Sequence, residues 1–242
     1  MTRSRFGLLG LCAVLFGVMA FGAGAAQAET GAQWLFAEKA PNSGLVAFLE
    51  ASLGFEADTT KVLHSKILGI AVLFECTQIA ASGATLKANG SIGTGAKIKF
   101  SGCITKLNGA TSSACEPNAG GTEKGVINTN AVHGLIVLHA LGGGTKDELI
   151  QILPDSGETF VTTEMSKECA IGTKVPVIGR LYLKDCENAF LVHKVKHLLE
   201  VGPLTEIWLI SKTAEHLTTI LGSEWAFLTG AHEGLKFSGA AA

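Results

Sequence analysis

The sequence predicts an all-β fold, a sandwich or barrel of about ten short antiparallel strands. Three observations carry that expectation. From Thr59 onward, short apolar and β-branched runs alternate with Gly, Asn, Asp and Ser punctuation. In "AKIKFS", Ala96, Ile98 and Phe100 take one face while Lys97, Lys99 and Ser101 take the other, the period of two of a half-buried strand. No stretch from Gly90 to the end carries a helical apolar stripe.

At the start, Arg3 and Arg5 precede an apolar run from Phe6 to Phe21, and Ala26-Gln27-Ala28 follows. A charged lead, an apolar core and a small-x-small site make residues 1–28 a secretory signal peptide, leaving residues 29–242 as a single β-rich secreted domain. No second apolar span follows, so no membrane attachment is expected after cleavage. Removing the two arginines from the 19 basic residues, against 21 acidic ones, leaves a slightly acidic surface with no electrostatic footprint for nucleic acid.

In "NSGLVAFLEASLGFEA", Leu45, Phe48, Leu49 and Leu53 recur at helical spacing, with Ser43 as a start cap and Gly54 as a stop. One short helix is therefore expected near residues 43–54. The strands that follow are "TKVLHS", "GIAVLFECT", "AKIKFSGCI", "HGLIVLHAL", "DELIQIL", "ETFVTTEM", "PVIGRLYLK", "FLVHKVKHLL", "TEIWLIS" and "EWAFLTG". Asn108-Gly109, Gly142–Thr145 and Pro154–Gly157 read as turns between them. The matching "IKFSG" at 98–102 and "LKFSG" at 235–239 read as edge-type strands and not as a duplication.

After signal removal the cysteines are Cys76, Cys103, Cys115, Cys169 and Cys186, an odd number in an oxidising compartment. None has the C-x-x-C spacing of a zinc or dithiol redox motif, so they read as staples. Local pairing gives Cys103 with Cys115 across the Asn108-Gly109 turn, and Cys169 with Cys186, leaving Cys76 a free buried thiol; the competing pairing is Cys76 with Cys103.

Chemistry-bearing motifs are sparse. The best metal candidate is His193 with His197 in "HKVKH", but Lys194 stands where a metalloprotease needs its Glu and no third ligand can be nominated; no metal or other cofactor is expected. "GGGTK" lacks the order of a phosphate loop. No G-x-S-x-G, H-E-x-x-H or S-x-x-K occurs. Glu164, Glu168, Asp185 and Glu187 are available to a glycosidase whose two carboxylates meet only in three dimensions. Of the aromatic residues that might stack on a sugar, Trp208 and Trp225 lie in apolar strands and read as core, and Trp34 as exposed.

Cys76 closing an apolar strand, followed by "KIKFSGC" and a further Cys after a short Gly-containing turn, resembles a group of uncharacterised secreted β-rich bacterial proteins. The resemblance covers about the middle third of the chain and implies compartment and fold alone. The expected function is that of a secreted, non-enzymatic structural or ligand-binding protein of the cell envelope or exterior. The alternative is a secreted hydrolase whose carboxylates or histidines converge on folding.

Overall fold

The computed structural model describes residues 33–37, 45–47, 50–87, 90–140, 146–185, 192–199, 206–212 and 216–240. In chain order, β1 (Gln33–Ala37) and β2 (Leu45–Ala47) come first and pair antiparallel. Eight long staves follow. The first is β3 (Glu50–Ala57) continued by β4 (Lys61–Ile67), the second β5 (Ile70–Ser82) continued by β6 (Thr85–Lys87), and the third the single strand β7 (Ser91–Leu107). The connection out of β7 carries β8 (Ala110–Thr111), a 3-10 turn at Ser113–Cys115, β9 (Asn118–Ala119) and β10 (Glu123–Lys124).

The fourth stave is β11 (Val126–Asn128) with β12 (Val132–Ala140), and the fifth β13 (Lys146–Pro154) with β14 (Thr159–Glu164). The sixth is β15 (Lys174–Asp185), the seventh β16 (Lys194–Leu198) with β17 (Glu206–Leu209), and the eighth β18 (Thr219–Leu221) with β19 (Ser223–Thr229). Last comes β20 (Lys236–Ala240), which pairs with β1 to complete a separate three-stranded sheet.

Each stave pairs antiparallel with its sequence neighbours, and the eighth closes on the first through β19–β3 and β18–β4, giving a closed eight-stranded barrel. Between the two expected architectures the chain thus adopts the barrel. An up-and-down order needs only short connections and leaves the ring without an unpaired edge. The first two staves form one long hairpin: Glu50↔Lys87 and Lys61↔Cys76 belong to the same register, reversed at Leu68-Gly69, both in the left-handed region.

Alternation fixes which face is inside. Along β7, Ala96, Ile98 and Phe100 are buried and Lys97 and Lys99 exposed; then the inward phase changes, and Cys103 and Thr105 are the buried positions. The facing β5 changes phase at the same level, from Val72, Phe74 and Cys76 to Ile79. Gly102 permits the kink, with φ +62 and a Cβ position that would lie 2.2 Å from the Thr77 hydroxyl. This waist divides the barrel into an upper half, toward the terminal sheet, and a lower half, toward the connections at 108–125 and 165–173.

Several expectations are corrected. Residues 45–47 and 50–57 are strand, so no helix spans 43–54; the alternation of Ala51, Leu53 and Phe55 overrides the helical reading, and all three point into the barrel. Pro154–Gly157 does not reverse the chain but bulges the fifth stave, since β13 and β14 both pair with β15. "IKFSG" lies on β7, paired on both sides, whereas "LKFSG" lies on β20 of the terminal sheet. Residues 141–145 lie outside the described residues; β12 and β13 pair on either side of them.

The disulfides are Cys76–Cys103 and Cys115–Cys169, so neither Cys103–Cys115 nor Cys169–Cys186 forms, and Cys76 is not free. Cys76 and Cys103 face each other in the β5–β7 register, with Cα atoms 4.0 Å apart. Asn108-Gly109 does reverse the chain, pairing β8 with β7, but the 3-10 turn then carries Cys115 to the 165–173 connection, where Cys169 sits. Cys186 lies outside the described residues. The two disulfides are compatible with an extracellular protein.

Candidate functional site in the barrel interior

Charged residues stand on the outer wall and apolar ones line the lumen, the reverse of a membrane barrel. Outside, Lys106–Glu75 (2.8 Å) and Lys87–Glu50 (2.8 Å) tie neighbouring staves, Lys99–Glu123 (2.9 Å) ties the third stave to β10, and Lys196–Asp58 (2.8 Å) reaches from the seventh stave across the eighth to the first. Inside, among the described residues, Lys61, His197 and Glu224 interrupt the apolar core and are all buried.

Their placement follows from the bulge where the ring closes. Five residue steps lead from Ala57 to Val62 on the first stave, against three from their partners Glu224 to Leu221 on the eighth. Gly222, at φ +133, lets the staves approach closely here; a Cβ on it would lie 3.0 Å from the Thr60 carbonyl oxygen. After the bulge, Lys61 resumes the inward phase. Its ammonium donates to the carbonyl oxygens of Thr59 (2.8 Å) and Ser223 (2.6 Å), and burial lowers its pKa against the opposing charges of Glu224 and Asp58.

Glu224 shares the inward face of β19 with Ala226 and Leu228. Burial raises its carboxyl to about 7, opposed by the Lys61 charge, and its Oε2 has no hydrogen-bond partner. Its direct cross-strand neighbour is His197, whose imidazole burial lowers to about 4 and whose Nδ1 is also without a partner. A neutral imidazole beside a carboxyl that holds its proton to near neutrality is a pair able to donate and accept hydrogen bonds in an apolar surround.

The outer side of the same bulge is fully bonded. Asp58 accepts from Ser223 Oγ (2.5 Å) and Trp225 Nε1 (3.2 Å) and pairs with Lys196; the Lys196 and Ser223 hydrogen bonds lower its pKa to about 2. Lys196 lies over the Trp225 ring and Lys194 over the Phe227 ring. Trp225 and Trp208 thus face outward and are half-buried, while Trp34 is 4% exposed inside the barrel mouth, the opposite of the sequence expectation. The errors have two causes: Trp208 and Trp225 stand on the strand faces opposite the buried residues, a phase that in β19 also carries Phe227 and is not marked by polarity, and Trp34 points from the terminal sheet into the lumen.

The lumen holds an upper and a lower cavity among the described residues. The upper, about 40 Å³, is bordered by His197, Trp34 and Phe237; the lower, about 50 Å³, is bordered by Lys61, Cys76 and apolar side chains. Each holds about one water and lies far below the several hundred Å³ of a small-molecule site.

The other nominated residues do not converge. His193 is exposed ahead of β16 while His197 points inward, and among the described residues no group of three His, Cys, Asp or Glu is placed to hold a metal. Glu164, paired with Lys174 at 3.4 Å, and Glu168 stand at the lower end of the barrel, whereas Asp185 ends β15 at the upper end; Glu187 lies outside the described residues. Among the described residues two histidine dyads occur: His133 Nδ1 with Asp155 Oδ1 at 3.0 Å, and Ser211 Oγ with His216 Nδ1 at 2.8 Å. The second lies in the connection between β17 and β18, apart from the first, which is bound into the wall by Gly95 N donating to Asp155 Oδ2 at 2.6 Å.

Fold and interior together define a water-facing, eight-stranded up-and-down barrel with a filled apolar lumen and a buried polar waist. No family model, curated protein or solved structure matches the chain.

Proposed function

We propose that the protein is an exported, non-enzymatic barrel that serves the cell envelope or exterior as a binding or structural module. The observation that carries this reading is the filled lumen. Lys61, His197 and Glu224 are buried in it, and the cavities beside them are about 40 and 50 Å³ with the terminal sheet seated. Export is supported by the charged, apolar and small-x-small pattern of residues 1–28 and by disulfides that favour an oxidising compartment.

Expression of the full chain in a secreting bacterial host tests both parts. The exported protein should begin at Glu29 by N-terminal sequencing and should not turn over a panel of chromogenic glycosides and esters. Retention of Met1 in a membrane fraction refutes export. Turnover abolished by Glu224→Gln or His197→Gln refutes the non-enzymatic reading in favour of a hydrolase.

A further inference from the structure

The ring of eight staves is complete without the terminal sheet of β1, β2 and β20. That sheet stands across the upper mouth and sends Trp34 and Phe237, 4% and 1% exposed, into the lumen. Its described bonds to the barrel are few: Trp34 Nε1 donates to the Ser91 carbonyl at 3.1 Å, and Val192 and Phe237 exchange backbone hydrogen bonds of 3.2 and 2.9 Å. The barrel ladder does not run through it. The lower half differs, because Cys76–Cys103 and Cys115–Cys169 both lie there and pin its wall and end connections.

Beneath the two aromatic side chains the lining is apolar, from Leu53, Ile92, Ile136 and Leu149, until it meets His197. That residue's Nδ1 has no partner, and neither has the Oε2 of Glu224, its direct cross-strand neighbour. Buried polar atoms left without partners are costly, and the two together call for a group that both donates and accepts. Lys61, the one other ionisable side chain buried at this level among the described residues, is already held by the Thr59 and Ser223 carbonyls.

We infer that the upper half of the barrel is a ligand chamber with the terminal sheet as its stopper. Withdrawal of Trp34 and Phe237 admits an apolar chain bearing one hydroxyl or carboxyl group, which meets His197 and Glu224 at the chamber floor. The inference rests on the binding half of the proposed function and gives it a ligand class.

The test uses the oxidised, exported protein carrying Trp208→Phe and Trp225→Phe, which leaves Trp34 as the sole tryptophan of the chain. Titration with 1-dodecanol and with dodecanoic acid, each below its aggregation limit, should give saturable one-to-one binding with a red shift of Trp34 emission. His197→Leu should weaken dodecanol binding at least tenfold, and Phe237→Ala should strengthen it by a similar factor; Phe237→Leu replaces the latter if its melting curve shows it unfolded. The inference is overturned by absence of saturable binding in both the wild-type lumen and a folded Phe237 variant. It is equally overturned by binding that leaves Trp34 emission unchanged, by binding indifferent to His197→Leu, or by a crystal structure in which a single fixed water satisfies both orphan atoms under an immobile stopper. None of these results bears on export or turnover, so they are separable from failure of the preceding proposal.

Discussion

Opening the Cys115–Cys169 bond should destabilise the protein more than opening Cys76–Cys103. The sequence separations are 54 and 27 residues. The chain-entropy relation converts those loops into about 4 and about 3.5 kcal/mol at 25 °C. In a domain of this size each kcal/mol moves the thermal midpoint by about 2–4 °C, so the Cys115→Ser/Cys169→Ser protein should melt roughly 12 °C below the parent and the Cys76→Ser/Cys103→Ser protein roughly 10 °C below. The loops follow one another in sequence without overlapping, which makes the losses additive. Removing both bonds should cost about 7.5 kcal/mol, a large part of the roughly 5–15 kcal/mol that holds a typical domain folded.

Scanning calorimetry of the two double variants and the quadruple variant measures this, with Cys186→Ser in every background to prevent exchange. A non-reducing peptide map of the parent accompanies it. The reasoning is refuted if either double variant shifts the midpoint by less than about 3 °C, or if the map finds Cys103 joined to Cys115.

Three other expectations follow from the waist. Gly102→Ala should cost roughly 2 kcal/mol or more, because a left-handed residue gains a Cβ against the Thr77 hydroxyl; Thr77→Ala should restore part of the loss, and urea midpoints equal in the single and double variants would contradict the steric account. Glu224 titrates at about 7 in the fold against an ordinary 4.5, so its contribution to stability is full below pH 4.5 and lost as pH rises to 7; His197, at about 4 against 6.5, contributes fully above pH 6.5 and loses that contribution as pH falls to 4, each on the order of 3 kcal/mol. Urea melts of His197→Gln should therefore gain stability on acidification from pH 7 to 4.5 and those of Glu224→Gln should lose it from pH 6.5 to 4, and slopes of the same sign would defeat the assignment. Lys61→Met should raise the Glu224 pKa further, since the ammonium is the charge that opposes its burial; a carboxyl resonance that titrates lower in the variant would show that Lys61 acts otherwise.

The strands were legible wherever alternation was clean, as in β7 above the waist, because a period of two has one physical meaning when one face is wet. The helix expected near residues 43–54 shows the limit of that signal. Leu45, Leu49 and Leu53 satisfy a helical spacing and a strand spacing alike, since positions four apart share a face in both. Only the pairing of β3 with β6 and β19 decides between them. Disulfide pairing failed for a related reason. Asn108-Gly109 was read correctly as a reversal, but a reversal brings Cys103 near Cys115 only if the strand after it is long, and β8 ends at Thr111.

The polar waist left a trace in the sequence that catalytic motifs do not capture. Lys61 shares the inward face with Ser65 and Ile67, and Glu224 the inward face with Ala226 and Leu228, so each is a charge at a position the alternation reserves for the core. A charge in the apolar phase predicts either a slipped register or a buried polar group with a partner, and no local pattern says which. The partner here is the closure of the ring. Residues 61 and 223 stand at opposite ends of the folded chain and come within hydrogen-bond reach because the eighth stave returns to the first. His197 reaches the same level on the seventh stave, directly across from Glu224. Had the chain formed the sandwich that the same strands also allow, the first and eighth strands need not have met. The buried Lys61 ammonium would then lack the Ser223 carbonyl, so the waist reports on barrel closure as much as the backbone ladder does.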